Sequence, residues 1–171
     1  MLKIYLARSM SGRIKEEVVY EARLDRDVLE FFDIQPLCPV AEEKVRAEFA
    51  KLQSTPEQMM TFWPRDKKMI EESNVLFDMS PQMKSEGVAH EIGYARYFLY
   101  KPVIRVYKGG NVPPKSSVAF FEDDYIADSL LDAILYVKKT HGTLLKRLLW
   151  RLNLYRRCLP KMIRVWFQAW K

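Results

Sequence analysis

With 171 residues, 49% of them hydrophobic, the chain is long enough for one globular domain with a full core. The formal net charge of +6 is uneven, because residues 138–171 carry ten Lys and Arg and no Asp or Glu, which leaves 18 basic and 22 acidic residues in 1–137. The total charge is therefore no argument for nucleic-acid binding, and no stretch reaches the roughly 18 uncharged apolar residues of a membrane span.

The first part of the chain reads as strand, helix and strand. Residues 3–7 form an apolar run typical of a buried strand, and apolar positions close to a helical period predict a helix over residues 13–32. Residues 34–40 read as a second strand. Pro36 and Pro39 within it favour an edge position, because proline cannot donate to a sheet ladder.

The next part adds helices and a third strand. A helix is predicted over residues 41–52, and S-T-P-E at residues 54–57 marks the start of another, with proline near its first position. A further short helix, with Met69 and Ile70 turned inward, then leads to an apolar strand over residues 75–77.

A loop and a helix then lead to the fourth strand. The loop ends in S-E-G at residues 85–87, the helix opens at Val88, and Lys101-Pro102 closes it before a strand over residues 103–106. A strand, a loop and the start of a helix form the arrangement in which α/β enzymes hold ligands at the carboxyl end of the sheet. Glu91 lies in the first turn or so of this helix, where the dipole favours a carboxylate, so we expect it to be ionised.

The last part of the domain repeats the pattern. Gly and Pro residues between 109 and 114 predict a turn, residues 118–121 a short strand, and residues 124–139 a helix with its apolar positions inward. Alternating strands and helices with short connections favour a parallel sheet covered by helices on both faces.

Three segments carry a family resemblance. The first is K-I-Y-L-A followed by R-S-M-S-G-R at residues 3–13, and the second is R-D opening a helix at residue 65 that ends in S-N before a V-L-F strand. The third is S-x-G-x-x-x-E-x-G-x-A from residue 85, ending in K-P. All three in this order resemble the nucleoside 2-deoxyribosyltransferase family, including its 2′-deoxynucleoside 5′-monophosphate N-hydrolase branch, over about residues 2–139.

The resemblance implies a fold and an activity for residues 1–139. The fold is an α/β, flavodoxin-like (Rossmann-like) three-layer sandwich with about five mainly parallel strands in the order 2-1-3-4-5. The site is expected where strands one and three diverge. The activity is cleavage of the N-glycosidic bond of a 2′-deoxynucleotide or deoxynucleoside, with transfer to water or to another base. A homo-oligomer, dimer or tetramer, is implied as well.

Three residues match the family's catalytic positions. Glu91 matches the nucleophile that attacks C1′ of the deoxyribose, Asp66 the acid that handles the proton of the leaving base, and Tyr5 a tyrosine that positions the nucleophile. The chemistry is independently sound, because a close carboxylate stabilises and captures an oxocarbenium-like centre while a protonated carboxyl donates to the base.

Ser85 bears on the substrate. It occupies the position where relatives that use free nucleosides tend to carry an acid and where the monophosphate hydrolases carry serine, so a 5′-monophosphate is favoured. The full set expected to bind substrate is Ser9, Ser11, Gly12, Arg13, Ser85 and Gly87.

Structural interpretations stand beside each of these assignments. Glu91 and Asp66 could be favourable helix charges, the serines could be turn and cap residues, and Tyr5 could be a core tyrosine. Asp78, at the end of the third strand, is a rival acid. The competing function is a non-catalytic nucleotide-binding module recruited to a membrane or a partner by its tail.

Residues 140–171 form a separate basic extension. Leucines near one helical face over residues 143–159 predict an amphipathic helix, which suits an anionic membrane surface or a protein partner, with packing on the body or on another subunit as the alternative. Cys38 and Cys158 show no metal-ligand spacing, and the first apolar run ends at Arg8, too short for a signal peptide. We therefore expect a cytoplasmic protein, peripheral to a membrane if the tail binds one, with no metal, no cofactor and no nucleic-acid partner.

Overall fold

The computed structural model describes residues 1–10, 13–41, 56–82, 85–108, 125–143, 145, 146 and 148. These residues form one parallel sheet of five strands in the order β2-β1-β3-β4-β5, which confirms the predicted topology. The strands are β1 (Leu2–Ala7), β2 (Ile34–Leu37), β3 (Val75–Asp78), β4 (Val103–Val106) and β5 (Tyr125–Ala127).

Helices cover both faces of the sheet. They are α1 (Lys15–Phe31), α2 (Pro56–Glu72), α3 (Glu86–Gly93), which continues into a π-helical turn (Tyr94–Phe98), and α4 (Leu130–His141). Helices α1 and α4 pack with Ile4, Leu6 and Phe77 on one face, whereas α2 and α3 pack with Tyr5 and Leu76 on the other. Successive strand residues alternate between these two cores, as a pleated strand buried on both sides requires.

Two predicted boundaries were wrong. The helix expected over residues 124–139 begins only at Leu130, because the Ser129 hydroxyl caps it by accepting from the Asp132 N–H (3.1 Å) and Tyr125–Ala127 pair with β4 as the fifth strand. The second strand ends at Leu37, since Pro39–Ala41 turn into a short 3-10 helix. Its edge position is confirmed, because β2 pairs with β1 alone among the strands that the structure describes.

Other predictions fall partly or wholly outside the described residues. These are the helix over 41–52 beyond Ala41, the strand over 118–121, and almost all of the extension over 140–171. Within the described part of the chain, no helix is both long and apolar enough to cross a bilayer.

Candidate active site

Tyr5, Asp66 and Glu91 come together on the face of the sheet that α2 and α3 cover. Tyr5 is fully buried on β1, and its pKa is raised well above 10 by burial, then by the Glu91 charge, then by the Asp66 charge. The Asp66 charge in turn raises the pKa of Glu91. The three groups are therefore electrostatic neighbours, although they come from three separate elements.

Local periodicity explains this convergence. Tyr5 lies between Ile4 and Leu6, which belong to the opposite core, so the strand alternation turns its ring towards α2 and α3. Asp66 precedes the buried Ile70 by four residues on α2. Glu91 lies between Val88 and Ala95, both buried in the same cluster, at spacings of three and four residues. Both carboxylates thus lie on the helix faces that meet β1.

The Glu91 carboxyl has a raised pKa, contrary to the ionised state expected from the sequence. Burial raises its pKa to about 8, with the Asp66 and Asp78 charges adding to the rise and the Tyr5 hydroxyl and Arg65 opposing it. Glu91 is the sixth residue of α3, beyond the first turn where the helix dipole acts, so desolvation outweighs the dipole. The Glu91 carboxyl is therefore mostly protonated at pH 7, and the expectation of an ionised side chain is wrong for this structure.

Glu91 and Tyr5 each have a buried oxygen that lacks a standard hydrogen-bond partner among the described residues. These oxygens, Glu91 Oε2 and Tyr5 Oη, are both inaccessible. The two groups nevertheless lie close enough for the Tyr5 hydroxyl to lower the pKa of Glu91 as a hydrogen-bonding neighbour, although the geometry falls outside the standard range. A buried polar oxygen without a partner costs about 1–3 kcal/mol, so the site holds an unfavourable arrangement.

Asp66 has a positive neighbour. Arg65 donates to Asp66 Oδ1 from Nε (2.9 Å) and from Nη2 (2.8 Å), and the Asp66 side chain is 14% exposed. Asp66 is therefore a charge-compensated carboxylate at the rim, whereas Glu91 is a desolvated one beneath it.

Asp78, the rival acid, lies on the same side of the sheet. Its Oδ1 accepts from the Ser80 N–H (3.1 Å), its Oδ2 lies 3.8 Å from Arg105 Nε, and burial raises its pKa. Asp78 lines a cavity of about 320 Å³ together with Ser85, Arg96 and Arg105. Tyr5 and Asp66 are not among the residues lining this cavity, so Asp78 belongs to an adjoining compartment.

The predicted substrate-binding residues are only partly brought together. Ser85 caps α3, with its hydroxyl accepting from the Val88 N–H (3.4 Å), and Gly87 follows in the first turn. Ser9 is buried, and its N–H donates to Ser80 Oγ (2.7 Å). Arg13 Nη2 pairs with Glu21 Oε1 (2.5 Å) on α1, because that carboxylate is its nearest countercharge. Ser11 and Gly12 lie outside the described residues.

The structure also reveals neighbours that the sequence analysis missed. Trp63, one helical turn before Asp66, packs edge-on against His90 (5.9 Å between centroids) and Tyr94 (5.5 Å). Cys38 follows β2 beside β1, and its buried thiol contributes to the raised pKa of Tyr5. The W-x-x-D spacing was a readable signal for Trp63, whereas nothing in the sequence indicated the Cys38 contact.

Comparison with known proteins bears on the fold. Neither a protein-family model nor a curated protein matches the sequence. Among solved structures, a 2-deoxyribosyltransferase from Bacillus psychrosaccharolyticus is similar with a TM-score of 0.55 and 18% identity, over 77% of this chain and 90% of that one. A conserved protein from Enterococcus faecalis V583 has a TM-score of 0.50 and 16% identity, over 81% and 98%. A CMP N-glycosidase from Clostridium botulinum has a TM-score of 0.45 and 14% identity, over 80% and 98%. The chain has the nucleoside 2-deoxyribosyltransferase-like fold, as the sequence resemblance predicted.

Proposed function

We propose that the chain cleaves the N-glycosidic bond of a 2′-deoxynucleoside or of its 5′-monophosphate through a covalent glycosyl-Glu91 intermediate. The observation that carries this proposal is the convergence of Glu91, Asp66 and Tyr5, each shifting the protonation of a neighbour, on one face of the sheet. The fold shared with a 2-deoxyribosyltransferase supports it.

The chemistry divides between the two carboxyls. Glu91 in its ionised form attacks C1′, a C1′–O bond forms, and the C1′–N bond breaks through an oxocarbenium-like state. Asp66, in its protonated form, gives its proton to the departing base. Water, or a second base, then attacks C1′ and releases Glu91, while Asp66 takes a proton from the attacking group. Tyr5 positions the Glu91 carboxyl.

This assignment requires a proton to leave Glu91 before attack. With a pKa of about 8, Glu91 holds its proton at neutral pH in the free protein. A bound sugar that develops positive charge at C1′ favours the ionised carboxylate, because opposite charges in a desolvated site attract strongly. Since Glu91 and Asp66 interact, they titrate as a pair, and the useful state of that pair has its single proton on Asp66.

A monophosphate is the substrate that we favour. Ser85 borders the same cavity as Arg96 and Arg105, whose positive charges suit an anionic group, and an acid in place of Ser85 would repel it. Asp78 in that cavity opposes this preference, but burial favours its neutral form.

The decisive experiment is base release, followed by chromatography, from a panel of deoxynucleosides and their 5′-monophosphates with and without an acceptor base. Glu91→Ala should lower turnover at least a thousandfold, whereas Glu86→Ala, an exposed acid on the same helix, should leave it near wild type. A Glu91→Ala variant within tenfold of wild type would refute the nucleophile assignment. Nucleotide binding without any base release would instead favour the non-catalytic binding module.

A further inference from the structure

An uncovered apolar stripe runs along α1, on the face of the sheet opposite to the proposed active site. Its residues recur at intervals of four, four and three, so they lie on one side of the helix. A shorter stripe lies on α4, four residues apart. The residues are Tyr20, Leu24, Val28 and Phe31 on α1, which are 63, 47, 39 and 83% exposed, and Leu131 and Leu135 on α4, which are 50 and 56% exposed.

The two stripes lie on helices that cover the same face of the sheet, and we call the surface between them the groove. Lys138, one turn beyond Leu135, donates to the Phe32 carbonyl (3.2 Å), and its Nζ lies 5.7 Å from the Phe32 ring centroid. Phe32 in turn lies four residues beyond Val28, so this contact joins the carboxyl ends of the two helices beside the stripes. Both helices return from the carboxyl edge of the parallel sheet on the same face, so they run side by side in the same direction.

We propose that the chain's own C-terminal segment, residues 144–159, folds back over this groove. The segment carries leucines near one helical face, and its first turn starts at the end of the groove where α4 stops. The Thr143 hydroxyl accepts from the Lys146 N–H (3.3 Å), the hydrogen bond of a helix N-cap. Leu145 and Leu148 are 67 and 49% exposed, so their apolar side, like the groove, faces solvent in this structure.

The length of the segment suits this position. The chain leaves α4 at Gly142, where a Cβ would lie 2.4 Å from the Lys138 carbonyl oxygen, so a larger residue could not adopt this conformation without a shift. As a helix, residues 144–159 would span about 24 Å, enough to cover the roughly 17 Å from Phe31 to Tyr20. The segment would run antiparallel to α1, from its carboxyl end towards its amino end.

The charges on α1 favour the C-terminal segment over a lipid surface as the partner of the groove. Helix α1 carries six acidic and three basic residues, whereas residues 144–159 carry five basic residues and no acidic one. Four of these acids are exposed to solvent, namely Glu16, Glu17, Asp27 and Glu30. An anionic membrane would be repelled by these carboxylates, while a basic amphipathic helix is attracted by them and can bury its leucines in the groove.

The native Cys158 provides a direct test in the full-length chain. With Leu145 opposite Phe31, an antiparallel helix brings Cys158 to the level of residue 18, less than one helical turn from Tyr20, and a disulfide requires Cα atoms within roughly 7 Å of each other. Tyr20→Cys should therefore form an intramolecular disulfide with Cys158 under mild oxidation. Lys68→Cys, an exposed position on the opposite face of the sheet, should give at least tenfold less.

Either of two results would overturn the proposal. Disulfide-linked dimers of Tyr20→Cys would assign the groove to the tail of a second copy. No link to Cys158, with or without binding of the full chain to phosphatidylserine vesicles, would mean that the segment does not cover α1.

Thermal unfolding gives an independent measurement. If the groove is covered, Leu24→Asp and Leu148→Asp should each lower Tm by several degrees, and the double variant should lose clearly less than the sum of the two. Phe98→Asp, 74% exposed on the other face, should change Tm by no more than about 1 °C. Two leucine variants that are as neutral as the control, or strictly additive, would contradict the docking.

Discussion

The buried Glu91 carboxyl should make the folded protein less stable as pH rises, and Glu91→Gln should remove that dependence. Its pKa is raised from the ordinary value of 4.5 to about 8, mainly by burial. Between these two values the unfolded chain has already released the proton that the folded chain still holds. Stability therefore is full at low pH and falls as pH increases from about 4.5 to 8, the reverse of a salt-bridged acid.

The magnitude follows from the size of the shift. A displacement of about 3.5 pKa units corresponds to about 5 kcal/mol at high pH, since each unit is worth 1.36 kcal/mol. Because titration is incomplete at the limits, the loss between pH 5 and pH 8 comes to roughly 3–4 kcal/mol. Such a change is a large fraction of the 5–15 kcal/mol that typically stabilises a domain.

Urea unfolding at several pH values from 5 to 8 measures this loss. The difference in unfolding free energy between Glu91→Gln and wild type should grow by about 2–4 kcal/mol in favour of the variant over that interval. Using a difference cancels the other titrating groups, Asp78 among them, which contribute to both proteins. Parallel pH profiles for the two proteins would show that Glu91 titrates normally and would refute the electrostatic account of the site.

Two further predictions concern a helix end and the phosphate preference. Lys101→Met should lower the free energy of unfolding in urea by about 2–4 kcal/mol. The buried Lys101 Nζ donates to the carbonyls of Ile70 (2.5 Å), Glu71 (2.6 Å) and Ser73 (2.5 Å) at the end of α2, and these bonds are lost in the variant. A loss no greater than that of the exposed Lys68→Met would contradict this capping role. Ser85→Asp should lower kcat/KM for the monophosphate at least tenfold more than for the nucleoside, because the new carboxylate repels the phosphate. Equal losses in kcat/KM for both substrates would mean that Ser85 only caps α3.

The fold could be predicted largely because its strands are buried on both faces. Such strands read as short apolar runs, and β1, β3 and β4 lie within one residue of the predicted ranges. The residues of the fifth strand, Tyr125–Ala127, were assigned to a helix because they lie directly before a helical pattern, and only pairing with β4 distinguishes them from a first helical turn. Tertiary hydrogen bonds decided that boundary, and sequence periodicity carries no information about them.

The site was predictable to the extent that it depends on local spacing. The positions of Asp66 before Ile70, and of Glu91 between Val88 and Ala95, follow from helical periodicity. The ion pairs of the first loop were not predictable, because they join residues that the fold brings together. Arg8, for example, is buried against Asp25 and Glu21 of α1, and Lys108 from the end of β4 reaches the same Asp25 (2.7 Å).

The protonation of Glu91 has a bearing on whether this site is structural or functional. A carboxyl buried for stability is normally met by hydrogen-bond donors or a cation, which lower its pKa and offset the cost of desolvation. Among the described residues, Glu91 Oε2 has no such partner, and the nearest ionisable groups include two further acids, Asp66 and Asp78. Burial raises the pKa of Glu91 to about 8 even though the Tyr5 hydroxyl and Arg65 lower it, so the carboxyl is only partly compensated and is well placed to meet a cationic centre that appears only during a reaction. The oxocarbenium-like sugar of N-glycosidic cleavage is such a centre, so the burial that raises the pKa of Glu91 also suits the carboxyl to the proposed chemistry.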